Sequence, residues 1–251
     1  MKKLILIALF GITMLVSQFS FAQNKLSFAL YGGYSVPTAD LKGEMDFADF
    51  NAHMFQNNYS MKSGFNFGGA AKYALDRMGN LQATLSLDYN GFSRTADTTA
   101  VEGAETADLK MNIFSANLGV QYNFMPNQKV NPYVGLDFSN NFISGSSKVT
   151  TNSTTTSTDK TLKSAWRGGL QFGAGIDFAV SPNVGILVGA KYNLANLIGK
   201  DTTSSTGTTE YALNDKEYTP APGASLVSAK SISYIQIYAG VSIYMNRILR
   251  K

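Results

Sequence analysis

Eight segments of this chain alternate between apolar and polar side chains, and that period of two limits the fold more than any other feature. In residues 81–91, Leu81, Ala83, Leu85, Leu87 and Tyr89 share one face. Gln82, Thr84, Ser86, Asp88 and Asn90 share the other. Seven further segments repeat the pattern around Leu30, Phe67, Leu118, Leu136, Phe172, Val188 and Ile237. Each reaches the ~9–11 residues a tilted strand needs to cross a hydrocarbon layer. The connections form a second pattern. The odd-numbered ones are long, at residues 36–60, 93–107, 145–163 and 199–229. The even-numbered ones are short, at 76–80, 125–129 and 181–183, and carry Gly79-Asn80, Pro126-Asn127 and Pro182-Asn183. Short turns at one rim and long connections at the other describe an all-β, eight-stranded antiparallel up-and-down barrel.

Alternation alone does not say which face meets the surroundings, because soluble barrels alternate too. Here the polar face is mostly Gly, Ser, Asn, Gln and Thr, and charged residues make up only 15% of the chain. A soluble surface carries roughly 25–35% charge. The apolar face is too large to fit inside eight strands, whose interior is just wide enough for side chains to fill. Lipid solvates such a face, and closure of the barrel satisfies every backbone hydrogen bond. The expectation is therefore a transmembrane barrel of the bacterial outer membrane. Tyr34, Phe65, Tyr89 and Tyr192 fall towards the long-connection rim, and Phe28, Tyr73, Tyr122, Phe124 and Phe178 towards the other, as two aromatic girdles would.

The N-terminus reads as an export signal. Lys2 and Lys3 precede an apolar run from Leu4 to Val16, and Ser20-Phe21-Ala22 sets small residues before a cleavage point. Residues 1–22 are thus expected to be removed, leaving residues 23–251 as one barrel domain. With no cysteine the chain has neither a lipoprotein anchor nor a disulfide framework. Without Lys2 and Lys3 the formal charge falls from +4 to +2, which makes no case for nucleic acid.

The polar face places Lys72, Asp88, Asp137, Arg167, Asp177 and Lys191 in the lumen. Buried charge demands partners, and depth along the strands suggests Asp88 with Arg167 and Lys72 with Asp177. Little else carries chemistry. The sole histidine, His53, has Asp46, Asp49 and Ser60 in its connection, but that spacing is loose, and an exposed loop histidine is the plainer reading. No metal site or cofactor motif is present; Asp40, Glu44, Asp46 and Asp49 lack the pattern of a calcium loop. Residues 41–50 could form a short amphipathic turn over the mouth. Residues 149–161, nearly all Ser, Thr and Asn, are expected to be mobile or to extend their strands above the membrane. The fourth long connection, with Tyr211, Leu213 and Tyr218, is the first place to look for surface contacts.

Asn131-Pro132-Tyr133-Val134-Gly135-Leu136, Gly173-Ala174-Gly175-Ile176-Asp177 and the Phe21-Ala22 leader end resemble small outer-membrane barrels of Bacteroidetes type. These are similar in build to OmpA- and OmpX-type barrels. The resemblance implies no peptidoglycan-binding domain, and a role in adhesion, envelope contacts or host contacts. It also implies outer-membrane lipid, lipopolysaccharide and the barrel insertion machinery as partners, with an extracellular ligand reached through the long connections. Asp97-Thr98-Thr99 and Asp201-Thr202-Thr203 look like O-glycosylation sites of that group. The chain departs from the pattern after Tyr244-Met245, where a basic tail replaces the usual terminal aromatic. A non-enzymatic barrel is the first functional reading, a small channel or ligand carrier the second, and a lipid-modifying enzyme the third.

Overall fold

The computed structural model describes residues 26–43, 58–98, 105–151, 156–202, 209–219 and 226–245. Residues 1–22, expected to be an export signal, lie outside these residues, as do His53, Asp46 and Asp49. Among the described residues the chain forms β1 (Leu26–Ala39), β2 (Ser63–Ala74), β3 (Leu81–Thr98), β4 (Glu105–Asn123), β5 (Val130–Thr151), β6 (Thr156–Ala179), β7 (Val184–Ile198), the two-residue β8 (Glu210–Tyr211) and β9 (Ile232–Tyr244). The eight long strands pair antiparallel in the order β5-β4-β3-β2-β1-β9-β7-β6, and β5 pairs with β6 to close the barrel. β8 lies parallel to β6 at Thr161 and Leu162.

The apolar stripe faces outward. Leu30 is 68% exposed and Leu118 62%, whereas the alternate positions Ala29, Asn117 and Asn66 are buried. Both aromatic belts sit on this outer surface. Phe142 and Trp166, which the sequence reading left out, are exposed alongside Tyr34, Phe65 and Tyr192.

The pattern does not run unchanged to the strand ends. In β4, Phe114, Leu118, Val120 and Tyr122 point out, with Ser115, Asn117 and Gln121 buried inside. Towards the N-terminus of the same strand the chemistry swaps faces. Ala107, Leu109, Met111 and Ile113 are buried inside, and Lys110 is exposed. Each face keeps its direction while its chemistry inverts, because the surroundings change from lipid to water. β4 holds 19 residues, roughly 65 Å at ~3.4 Å per residue, or about 50 Å along an axis tilted by ~40°. The apolar band of an outer-membrane barrel is only about 25 Å tall. Several turns of wall therefore stand beyond the membrane.

Two of the long connections expected from sequence shrink accordingly. Of residues 93–107, β3 takes those up to Thr98 and β4 those from Glu105. In the Ser/Thr-rich stretch, β5 runs to Thr151 and β6 starts at Thr156, so of the two expected outcomes strand extension holds over the described residues. β-branched Thr and Val suit a pleated ladder, and the inward residues beneath them supply a core.

Candidate functional site

The barrel interior is built in layers, read most simply along β9, where alternate buried residues include Ser242, Tyr238, Gln236, Tyr234 and Ile232 from the short-turn rim outward. At the Tyr238 level, three tyrosines fill the lumen. The hydroxyls of Tyr133 and Tyr238 lie 2.8 Å apart, and the rings of Tyr31 and Tyr238 lie 4.9 Å apart. Each ring occupies space that a neighbouring glycine leaves. Tyr133 pairs with Gly175, Tyr238 with Gly189, and Tyr31 with Gly68 and Gly240. A Cβ at Gly189 would lie 2.6 Å from the Tyr238 hydroxyl.

Asp88 is the hub of this layer and is 1% exposed. It accepts from the Tyr31 hydroxyl at 2.8 Å, from Asn117 Nδ2 at 2.6 Å and from Lys191 Nζ at 3.2 Å. Lys191 also donates to the Tyr31 oxygen at 2.9 Å and lies over the Tyr31 and Tyr238 rings. Lys72 lies 4.9 Å over the Tyr133 ring. Asp137 accepts from Thr84, and Asp177 from the Tyr244 hydroxyl. A cavity of about 40 Å³ remains among Lys72, Asp137, Tyr133 and Lys191, room for roughly two or three waters. Above lies a layer of amides. Asn90 accepts from Gln236 and Ser35, and Gln236 in turn accepts from Asn193.

The next layer is largely apolar. Tyr234, Phe92, Ile113, Ile143, Ile232, Met111, Leu109 and Leu162 pack with Leu41, Tyr59 and Met61 from the first long connection and Leu213 from the fourth. The two connections are therefore drawn into the mouth, and the Tyr59 hydroxyl donates to the Leu213 carbonyl at 3.2 Å.

A buried ion pair clamps this cap. Arg167 donates through Nε at 2.8 Å and through its terminal nitrogen at 2.7 Å to Asp215, which is 0% exposed. Asn196 Nδ2 and the Asp201 amide add bonds to the same carboxylate at 2.9 and 3.1 Å. Burial alone would push the Asp215 carboxyl up, but these donors, Arg167 foremost, hold it below the usual carboxylate value. Asn196 also bonds the Lys230 carbonyl and accepts from the Ile232 amide. The fourth connection is thereby tied to β6, β7 and the start of β9. Lys230 lies 5.1 Å over the Tyr59 ring. Burial lowers its ammonium to about 8, against the opposing pull of Asp215 and Asp40.

The expected ion pairs are rearranged. Asp88 meets Lys191 and not Arg167, and Arg167 belongs to the cap and not the lumen. Among the described residues Lys72 forms no ion pair with Asp177; its contact is the Tyr133 ring. Of the residues expected on a contact surface, Leu213 is 3% exposed and turned into the core. Tyr211 packs against that core, and Tyr218 is half-buried and bridges to Val227. Ser60 is buried and donates to Asn58. Sequence reasoning missed Asp215 and the three lumen tyrosines. The tyrosines were detectable, since Tyr31, Tyr133 and Tyr238 all fall at polar-face positions of their strands. Asp215, outside any periodic segment, gave no signal.

The sequence matches the family described as "Outer membrane protein beta-barrel domain" over residues 5–219. No curated protein matches it. Among solved structures, Neisserial surface protein A is 16% identical with a TM-score of 0.44, covering 87% of this chain and 96% of that one. OprG from Pseudomonas aeruginosa is 14% identical with a TM-score of 0.41, covering 88% and 97%. The outer membrane protease OmpT from Escherichia coli is 8% identical with a TM-score of 0.45, covering 91% and 99%.

Proposed function

Given that the chain belongs to the outer-membrane β-barrel family and is an integral protein of that membrane, we propose that it is a non-enzymatic barrel whose protruding end makes contacts outside the cell. We further propose that residues 1–22 are its cleaved export signal.

One observation carries the reading. The wall formed by β3, β4, β5 and β6 continues past the lipid band around an apolar core of its own. A segment built only to join two strands has no need of a packed interior. Here the core and the Arg167–Asp215 clamp hold the outer end in one shape. That order lowers the entropic cost of binding, which loose loops would pay on contact. Its outer face carries Lys110, Lys148 and Ser93, exposed to water and to whatever the cell touches. The apolar layer across the mouth argues against a diffusion pore.

The test is display on a non-adherent bacterial host. Cells carrying the protein are expected to bind host-cell monolayers or partner bacteria above the vector control. Lys110→Glu with Lys148→Glu should reduce that binding severalfold at unchanged surface level. Binding equal to the vector control on every surface tried would overturn the contact role. Lipid A of unaltered mass in the same cells is the outcome expected of a non-enzymatic barrel, and a modified mass would overturn that part.

A further inference from the structure

Direct cross-strand partners on the outward face form a row of aromatics. Phe67 pairs with Tyr89, Tyr89 with Phe114, Phe114 with Phe142, and Phe142 with Trp166. Such a row is not level, because the strands of a barrel are tilted and staggered. The stagger can be counted. Followed from partner to partner around the barrel, Leu26 leads through Tyr73, Val120, Phe172 and Ile235 back to β1 at Val36, ten residues nearer the outer end. Shared among the strands, that is roughly 1.25 residues per step, about 4 Å along a strand or ~3 Å along the axis. Trp166 on β6, three strands on from Tyr89 on β3, therefore stands about 10 Å further out. The outward residue of β3 at the height of Trp166 is Ser93, which is exposed. At one height the barrel shows a hydroxyl on one wall and an indole on the other.

Trp166 has apolar company at that height. Gly168 pairs with Ile198, so Ile198 and Leu197 of β7 stand on one side of the indole and Phe142 of β5 on the other. All four side chains are about half exposed. The indole is held in place by Gly199, whose φ is +83° and where a Cβ would come within 3.1 Å of the ring. The patch is continuous with the lipid-facing surface. On β6 the outward side runs from Trp166 through Gly168 and Leu170 to the exposed Phe172, and Ile198 and Phe138 both close over Gly168. Asn140, the outward partner of Gly168, turns its amide to the Ala116 carbonyl. A patch continuous with a face already in acyl chains is covered by the same solvent. Bilayers meet a taller apolar wall by tilt of the protein or by local thickening, at modest cost.

We propose that Phe142, Trp166, Leu197 and Ile198 form a raised lipid-contact surface. Acyl chains of the outer leaflet reach about 10 Å higher on β6 and β7 than on β3, and the lipid edge crosses the barrel obliquely. The β3 and β4 wall, with Ser93 and Lys110, then stands clear in water, while the β6 wall is partly sheathed. The inference concerns the membrane and holds whether or not the protruding end makes contacts outside the cell.

Trp166 is the sole tryptophan, so fluorescence reads its surroundings directly. The full barrel is refolded into bilayers of phosphatidylcholine brominated on its acyl chains and checked by heat-modifiable gel mobility. The comparison is the Trp166→Phe/Ser93→Trp variant, whose reporter stands at the same height on the other wall. Bromine is expected to quench Trp166 at least threefold more strongly than the reporter at position 93, and aqueous acrylamide to do the reverse. Equal quenching of the two sites by both agents would overturn the oblique edge. Readier quenching of Trp166 by acrylamide than by bromine would put the patch in water and overturn it too, and this measurement on the unaltered protein decides even if the variant does not fold. Shielding of Trp166 from both agents would mean that protein covers the patch, and its loss on dilution with lipid would identify that cover as a second copy; either result overturns lipid as the occupant.

Discussion

Asp215 shows how much one side chain decides at the outer end. Its carboxylate collects four donors from three residues, Arg167, Asn196 and Asp201, so its loss strands a buried guanidinium. Breaking a buried pair from one side costs about 3–5 kcal/mol, whereas replacing both partners with apolar groups costs far less. Asp215→Asn is therefore expected to open residues 199–219 to protease on intact cells. The Arg167→Met/Asp215→Leu double variant should resist better than the single one, and equal sensitivity would show that the clamp is not what holds the cap. Lys230 adds a pH dependence. Burial lowers its folded value to about 8 from 10.5. Between those values the opened cap holds a proton that the closed cap has released, so stability rises with pH across that window and is lowest below 8. Protease resistance of the cap should therefore increase from pH 7.5 to 10, and Lys230→Met should flatten the trend. Parity along the strands was enough to bring Lys72, Asp88, Asp137, Asp177 and Lys191 to the interior list. Their partners were not legible, because Asp88 and Lys191 reach across the lumen between strands 103 residues apart in the chain. The partner of Arg167 comes from a connection with no period to read.

At the scale of the strand, the informative feature is the point where the chemistry swaps faces. In β4 it falls between Ile113 and Phe114, and in β3 between Asn90 and Phe92. These positions mark the outer limit of lipid, and the limit can be tested by charge. Leu118→Arg puts a cation on the lipid face deep in the band, where it costs roughly 2–4 kcal/mol. Ser93→Arg, at an exposed position of β3 beyond the swap, should cost close to nothing. Denaturant midpoints in lipid bilayers distinguish them, and equal losses would mean that the boundary is misplaced. The strands were legible where one face is greasy and the other polar. Their extensions were not, since Ser/Thr-rich residues 149–161 carry the composition of a loop. Order over the described part of that stretch comes from the ladder with β4, where Val149 pairs with Ala107 and Thr150 with Thr106, a pairing no local window contains.

Taken as a whole, the molecule closes its axis twice by different means. The lower closure is polar, with Asp88, Lys191 and three tyrosines leaving space for only a few waters. The upper closure is apolar, and its residues come from the strands and from the two connections folded into the mouth. Ions crossing the barrel would have to pass both, and the second, mainly aliphatic and aromatic among the described residues, replaces little of their hydration shell. The two closures are therefore in series, and weakening either alone leaves the other intact. In planar bilayers the unaltered protein is expected to give no steady conductance. Asp88→Ala should remain silent, because it loosens only the polar layer. Combining Asp88→Ala with Ile113→Ser and Tyr234→Ser wets the apolar layer as well, and only that variant should show discrete steps. Conductance in the single variant would mean that the mouth is open in the membrane and that the connections do not seal it.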